Sequence, residues 1–251
     1  MPTALTVDLV GGLGNQLFKL AALLHVAKRT GRTPYLQSLH NPSPHSSVSY
    51  FDTILRSFRG LYSQIKPTSF CQEPSFAYAD WRGLLRLQDN PQMNGYFQDY
   101  RYIDREFVQK LVFPTGILSS YPGIHDGVFL HIRGGDYVGN PAHDIGLDAY
   151  YERAIAHFPN AHIYIVTNDI NYAMSRPYIA GLKYTLIMEP EIETLFLMSQ
   201  CAGGICANSS FSWWGAFLNP NRKIVMPDRW YRESHHATEG YYFPGVIKCQ
   251  V

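Results

Sequence analysis

Three times in this chain a short apolar run ends in glycine or small polar residues and passes at once into an amphipathic segment. Residues 5–10 lead through Gly11-Gly12-Leu13-Gly14-Asn15-Gln16 into 17–30, where Leu17, Leu20, Ala21, Leu24 and Ala27 keep helical spacing and Gly31 supplies the C′ stop. Residues 128–132 lead through a loop at 134–146 into a helix near 147–157, with Tyr150, Tyr151, Ala154 and Ile155 on its apolar face. Residues 203–207 lead through Asn208-Ser209-Ser210 into a helix over 211–218. A further strand at 162–166 and a helix at 191–201, with acids in its first turn, continue the alternation. Strands separated by helices need crossover connections, so the pattern predicts parallel sheets. The expected fold class is α/β, built as two facing Rossmann-like domains with a cleft between them. The Pro- and Gly-bearing stretch 113–127 is the expected linker, giving domains at 1–118 and 119–251. Residues 40–49 read as a loop, and 51–90 as short elements without a clear period.

Composition narrows the function. With 21 Lys+Arg against 20 Asp+Glu and no long basic run, a nucleic-acid or anionic-membrane partner is not expected. The four cysteines, Cys71, Cys201, Cys206 and Cys249, form no C-x-x-C pair and read as buried free thiols in a reducing compartment. No apolar run is long enough for a membrane span, and Met1-Pro2-Thr3 lacks a basic signal-peptide start. A cytoplasmic location is the expectation.

Candidate chemistry gathers where strands end. After the strand 128–132 comes His131-Ile132-Arg133-Gly134-Gly135-Asp136-Tyr137, and alternation puts His131 and Arg133 on one face. An arginine at the carboxyl end of a parallel strand offers a fixed cationic fork to phosphate oxygens, although it also suits a turn closed against Asp136. Asn208, Ser209 and Ser210 begin a helix, where free amides and hydroxyls seat an anion or simply cap the helix. The loop Gly11-Gly12-Leu13-Gly14 fits a dinucleotide fingerprint poorly. Leu17 replaces its third small residue, and the strand at 33–37 ends without an acid to hold a ribose. Asp169 ends the strand 162–166 and suits either a ligand or a helix cap.

Four ordered blocks resemble glycosyltransferase family 11, the α-1,2-fucosyltransferases. They are the GGLGNQLF stretch at Gly11, the GYFQ segment at Gly95, a form of HxRRxD at His131, and ANSSFSWWGAFLN at Ala207. Two departures stand out: Gly134 replaces the signature's second arginine, and Cys201-Ala202-Gly203-Gly204 stands where the family often has a basic or histidine residue. The GYFQ segment is expected to close the first domain's sheet before a helix at 104–111.

The resemblance implies a GT-B-like fold and inverting transfer of L-fucose from GDP-β-L-fucose to a galactose 2-hydroxyl of a glycan acceptor. By resemblance the donor would be bound by Gly12, Gly14, Asn15, His131, Arg133, Asp169, Asn208, Ser209, Ser210 and Phe211. Arg133, Asn15 and Asp136 would be catalytic, with His143 a second candidate base. No Asp-x-Asp pair is present, and the acids Glu189, Glu191 and Glu193 fall at a helix start, so no metal cofactor is expected. A non-catalytic sugar- or nucleotide-binding module, another linkage or a protein acceptor, and a dehydrogenase remain as alternatives.

Overall fold

The computed structural model describes residues 3–40, 48–233 and 238–251; most of the loop expected at 40–49 lies outside them. The chain divides into two compact units, Met1–Phe113 with Glu239–Tyr241, and Pro114–Thr238 with Tyr242–Val251. The division falls at 113/114, against the 118/119 expected from the linker stretch.

The first unit holds β1 (Ala4–Val7), α1 (Leu13–Thr30), β2 (Thr33–Pro34), β3 (Ser69–Gln72), α2 (Trp81–Leu84), β4 (Pro91–Asn94) and α3 (Arg105–Gln109). Its parallel strands lie in the order β2-β1-β4-β3. All four residues of β1 are buried, as a strand covered on both faces requires. α1 starts inside the glycine loop, four residues earlier than periodicity indicates, with Gly12 as its N-cap. Gly11 takes φ +97°, and its carbonyl accepts from Gln16 Nε2 at 2.8 Å, so the loop is tied to the helix it begins. Gly31 ends α1 in the left-handed conformation, as expected. The sheet-closing strand is Pro91–Asn94, ahead of the GYFQ segment; Gly95–Gln98 is an irregular turn with Phe97 at φ +53°. That corrects the expectation that GYFQ is itself the strand.

The second unit holds β5 (Val128–Ile132), α4 (Asp148–Ile155), β6 (Ile163–Thr167), α5 (Ile170–Met174), β7 (Tyr184–Leu186), α6 (Glu191–Gln200), β8 (Gly203–Ile205), α7 (Ser210–Phe217), β9 (Lys223–Pro227) and β10 (Val246–Cys249). The six parallel strands lie in the order β10-β9-β8-β5-β6-β7. The chain winds outward from β5 through β6 and β7, then returns to start again at β8. The connections therefore reverse between β5 and β8, the topological switch point where such sheets bind ligands beyond their strand ends.

Two tyrosines of α4 hold those ends in place. Tyr150 donates to the carbonyls of Cys206 (2.7 Å) and Val225 (3.1 Å), and Tyr151 to that of His131 (2.8 Å). At the opposite ends, Arg222 donates to the carbonyls of Met198, Cys201, Gly215 and Asn219. A half-buried guanidinium with this many acceptors stitches α6 and α7 to the start of β9. The glycines of the Cys201–Gly204 departure have a packing reason: a Cβ on Gly203 or Gly204 would run into the rings of Phe158 and Phe129. All four cysteines are free and buried. Among the described residues no helix is long and apolar enough to cross a membrane.

Candidate functional site

The switch point between β5 and β8 collects most of the expected residues. Arg133 follows β5, its side chain only 12% exposed; its Nη2 donates to Asp136 Oδ2 at 2.9 Å and lies 2.8 Å from Oδ1 in the same ion pair. The guanidinium lies over the Tyr137 ring at 5.0 Å. Tyr137 in turn donates to the carbonyl of Asn208 at 3.3 Å, which joins the arginine loop to the segment after β8. The His131 ring meets Phe211 edge to face at 5.8 Å. Arg133, Asp136, His131, Asn208 and Phe211 thus share one neighbourhood although some 70 residues separate the two segments.

Ser209 is the N-cap of α7, its Oγ accepting from the amide of Phe211 at 3.3 Å. Ser210 opens the helix and is partly exposed. The first turn of α7 carries no acid, so the amide end of its macrodipole stands uncompensated by its own residues. The side-chain amide of Asn208 is committed within the protein. Its Nδ2 is spent on the carbonyls of His143 (2.9 Å) and Trp230 (2.8 Å), so its side chain braces the loop.

Four buried polar atoms around this neighbourhood have no partner among the described residues: Arg133 Nε, His131 Nδ1, His143 Nδ1 and Asn208 Oδ1. Leaving such a group unsatisfied typically costs about 1–3 kcal/mol, so these atoms call for partners from ordered water or a polar ligand. Burial, with the charge of Arg133 adding to it, pushes His131 down to about 3. It is a neutral imidazole at physiological pH. Burial likewise lowers His143, whose ring stacks on Tyr137 at 4.7 Å, and raises Tyr137 to about 12. Of the two candidate bases, Asp136 therefore has both oxygens engaged by Arg133, and one of them also by Asn168 Nδ2 at 3.3 Å.

Asp169 is the N-cap of α5, accepting from the amide of Tyr172 at 3.0 Å. Its neighbour Asn168 belongs to the same Thr167-Asn168-Asp169 strand end. It accepts from the Gly134 amide at 2.9 Å and donates back to the Gly134 carbonyl at 3.3 Å, fixing the turn that aims Arg133. Gly134 has no room for a side chain, since a Cβ there would stand 2.8 Å from Tyr172 and 2.9 Å from Asp169.

Gly12, Gly14 and Asn15 lie in the first unit. Gly12 and Gly14 form the start of α1, and Asn15 Oδ1 accepts from Gln98 Nε2 at 2.7 Å. Asn15 is therefore a helix residue held by the GYFQ turn. Among the described residues no group of three or more His, Cys, Asp or Glu is placed to hold a metal ion.

A model of the family described as "Glycosyl transferase family 11" matches residues 2–247. The chain is 34% identical over 116 residues to the O-antigen biosynthesis glycosyltransferase WbnK of Escherichia coli, covering 41% of this chain and 38% of that protein. It is 31% identical over 162 residues to an alpha-1,2-colitosyltransferase of Escherichia coli, 55% of either chain. The matches therefore span between about two fifths and a little over half the length of these relatives. Among solved structures, fucosyltransferase NodZ from Bradyrhizobium superposes with a TM-score of 0.55 at 12% identity, over 89% of this chain and 96% of that one. A mutant of Arabidopsis thaliana FUT1 in complex with GDP gives a TM-score of 0.55 at 11% identity, over 90% and 70%. At such identities the likeness is one of fold: two parallel-sheet α/β units of the GT-B-like kind.

Proposed function

The chain belongs to glycosyl transferase family 11, and on that premise we propose that it transfers L-fucose from GDP-β-L-fucose to the 2-hydroxyl of a galactose in a glycan acceptor. The anomeric centre inverts in a single displacement. The observation that supports this reading is the meeting of Arg133 with the amino end of α7 at the β5/β8 switch point. A guanidinium on one side and helix amides with Ser209 and Ser210 on the other suit the two phosphates of a leaving nucleoside diphosphate. As the bond between fucose C1 and the diphosphate oxygen breaks, charge grows on that oxygen. Two preorganised contacts of about 3 kcal/mol each would supply roughly four decades of rate. Asp136 aims the fork, and His131 and Asp169 stand at the same sheet edge for the guanosine. The "alpha-1,2" in the name of one relative favours the 2-hydroxyl as acceptor.

The test is incubation with GDP-fucose and lactose in the presence of EDTA, with linkage analysis of the product. An α-1,2-fucosylated galactoside is expected, at a rate EDTA does not reduce. Arg133→Ala is expected to lower kcat by about 10²–10³ while melting within a few degrees of the parent; undiminished turnover in that variant would defeat the assignment. GDP-colitose serves as a competing donor, because one relative is named for that sugar. Gly134, in place of a second arginine, is what favours the binding-module alternative, for which GDP would bind and none be released from GDP-fucose.

A further inference from the structure

Among the described residues the most exposed large apolar side chain is Leu87, at 94%. It stands on a pinned turn. Arg32, between α1 and β2, donates to the carbonyls of Leu85 (2.6 Å), Gln88 (2.7 Å) and Asp89 (2.8 Å). Ser69 Oγ donates to Gln88 Oε1 at 2.7 Å, and Gln88 Nε2 to the Leu84 carbonyl at 3.2 Å. Leu85, two residues earlier, is buried. The turn is therefore fixed from both sides and holds Leu87 out in water, with Leu84 41% exposed beside it. A lone exposed leucine needs no explanation; the surroundings of this one supply one.

Leu87 lines a groove of about 470 Å³ together with Arg29, Arg32, Arg82 and Arg86, and Asp89 is the one acid in that wall. Asp80, alongside, pairs with Arg82 at 2.8 Å. Arg32 is committed to the carbonyls it holds. Arg29 and Arg86 are exposed, and neither is in an ion pair among the described residues. Four guanidinium groups against two carboxylates make a positive face that attracts anions. The near balance of 21 basic and 20 acidic residues over the whole chain conceals it. The groove lies where Thr3 leads into β1, where Asp89 approaches β4, and beside the last turn of α1. That is the edge opposite the carboxyl ends of the strands, so a partner docked there stands clear of the glycine loop.

The leucine decides which anion. An aliphatic side chain gives a nucleic acid no ring on which to stack a base, and a free phosphate would leave it in water. A folded protein would need a pocket shaped to one leucine. A bilayer surface needs no such fit, and it offers phosphates at the level of the guanidinium groups with an apolar layer just beneath. We propose that the turn at 84–89 docks the first unit on an anionic membrane surface, with Arg29, Arg82 and Arg86 meeting lipid phosphates and Leu87 and Leu84 entering the boundary between headgroups and acyl chains. The proposal uses no residue of the β5/β8 site and stands or falls apart from the transfer reading.

Co-sedimentation of the full chain with sucrose-loaded vesicles of phosphatidylcholine, with and without phosphatidylglycerol, tests it. At about 0.1 M salt the parent is expected to bind the anionic vesicles at least tenfold more tightly than the neutral ones. That preference should vanish at about 1 M salt, where charges more than about 3 Å apart are screened. Leu87→Ser and Arg86→Glu should each weaken binding to the anionic vesicles at least fivefold, while melting within a few degrees of the parent. Failure to bind anionic vesicles, equal binding to neutral ones, or binding that either folded variant leaves unchanged would overturn the proposal. Displacement by millimolar inorganic phosphate would assign the groove to a free anion, and tighter binding of a single-stranded oligonucleotide than of the vesicles would assign it to nucleic acid; each would equally overturn it.

Discussion

Glu73 and His131 follow or end strands of different sheets, and burial moves their protons in opposite directions. Desolvation raises the Glu73 carboxyl to about 7, against the amides of Phe97 and Tyr96 and the charge of Lys19, with Asp99 adding to the rise. A carboxyl whose folded value exceeds its unfolded one keeps a proton in the native state that the unfolded chain has already lost. Its contribution therefore makes stability fall as pH rises from about 4.5 to about 7. The full effect is at most about 3.5 kcal/mol, at about 1.4 kcal/mol per unit. His131, lowered to about 3, works the other way, since the unfolded chain binds a proton there below about 6.5. The two trends oppose each other in the parent. Glu73→Gln should therefore show a melting temperature that rises more steeply from pH 5 to pH 7 than the parent's does; parallel curves by scanning calorimetry would show that Glu73 titrates normally.

At the scale of elements, the turn between β5 and α4 is shaped by α5. Asp169 caps α5, Tyr172 lies on its first turn, and together they occupy the space a side chain at 134 would need. The family signature's second arginine is thus absent for a local reason: the neighbouring helix stands where it would go. Gly134→Arg is expected to destabilise by about 1–3 kcal/mol through overpacking, read as a lowered urea midpoint. Adding Tyr172→Ala should recover part of that loss, because residues in contact couple. Strict additivity of the two substitutions would mean that Tyr172 is not the obstacle. α7 shows the complementary case, a helix whose first turn is free of acids and whose cap is a serine, both written locally in Asn208-Ser209-Ser210.

At the scale of the molecule, both units are built on a parallel sheet, and in the second the connections reverse between the central strands β5 and β8. If GDP binds at the β5/β8 reversal, saturating GDP should slow amide exchange in 133–144 and in the first turn of α7. At a hundredfold excess over Kd it should also stabilise the fold by about 2.7 kcal/mol. GDP bound without protection in either segment would place it elsewhere. The parallel α/β class, the C′ glycine at Gly31, the strand before His131 and the capped start of α7 were all legible in the sequence. Each depends on periodicity or on residues within a turn of one another. β7, β9 and β10, three to five residues each, were not recognised, since such short runs carry too little period. Nor could local pattern show that Asn208 spends its amide protons on His143 and Trp230, or that Lys19, Glu73 and Tyr96 share one cavity. What the amino-acid order alone determined is which segments become strands and helices and where their polar ends fall. The tertiary structure decided which ends meet, because strand order, burial and charge pairing arise from neighbours far apart in the chain.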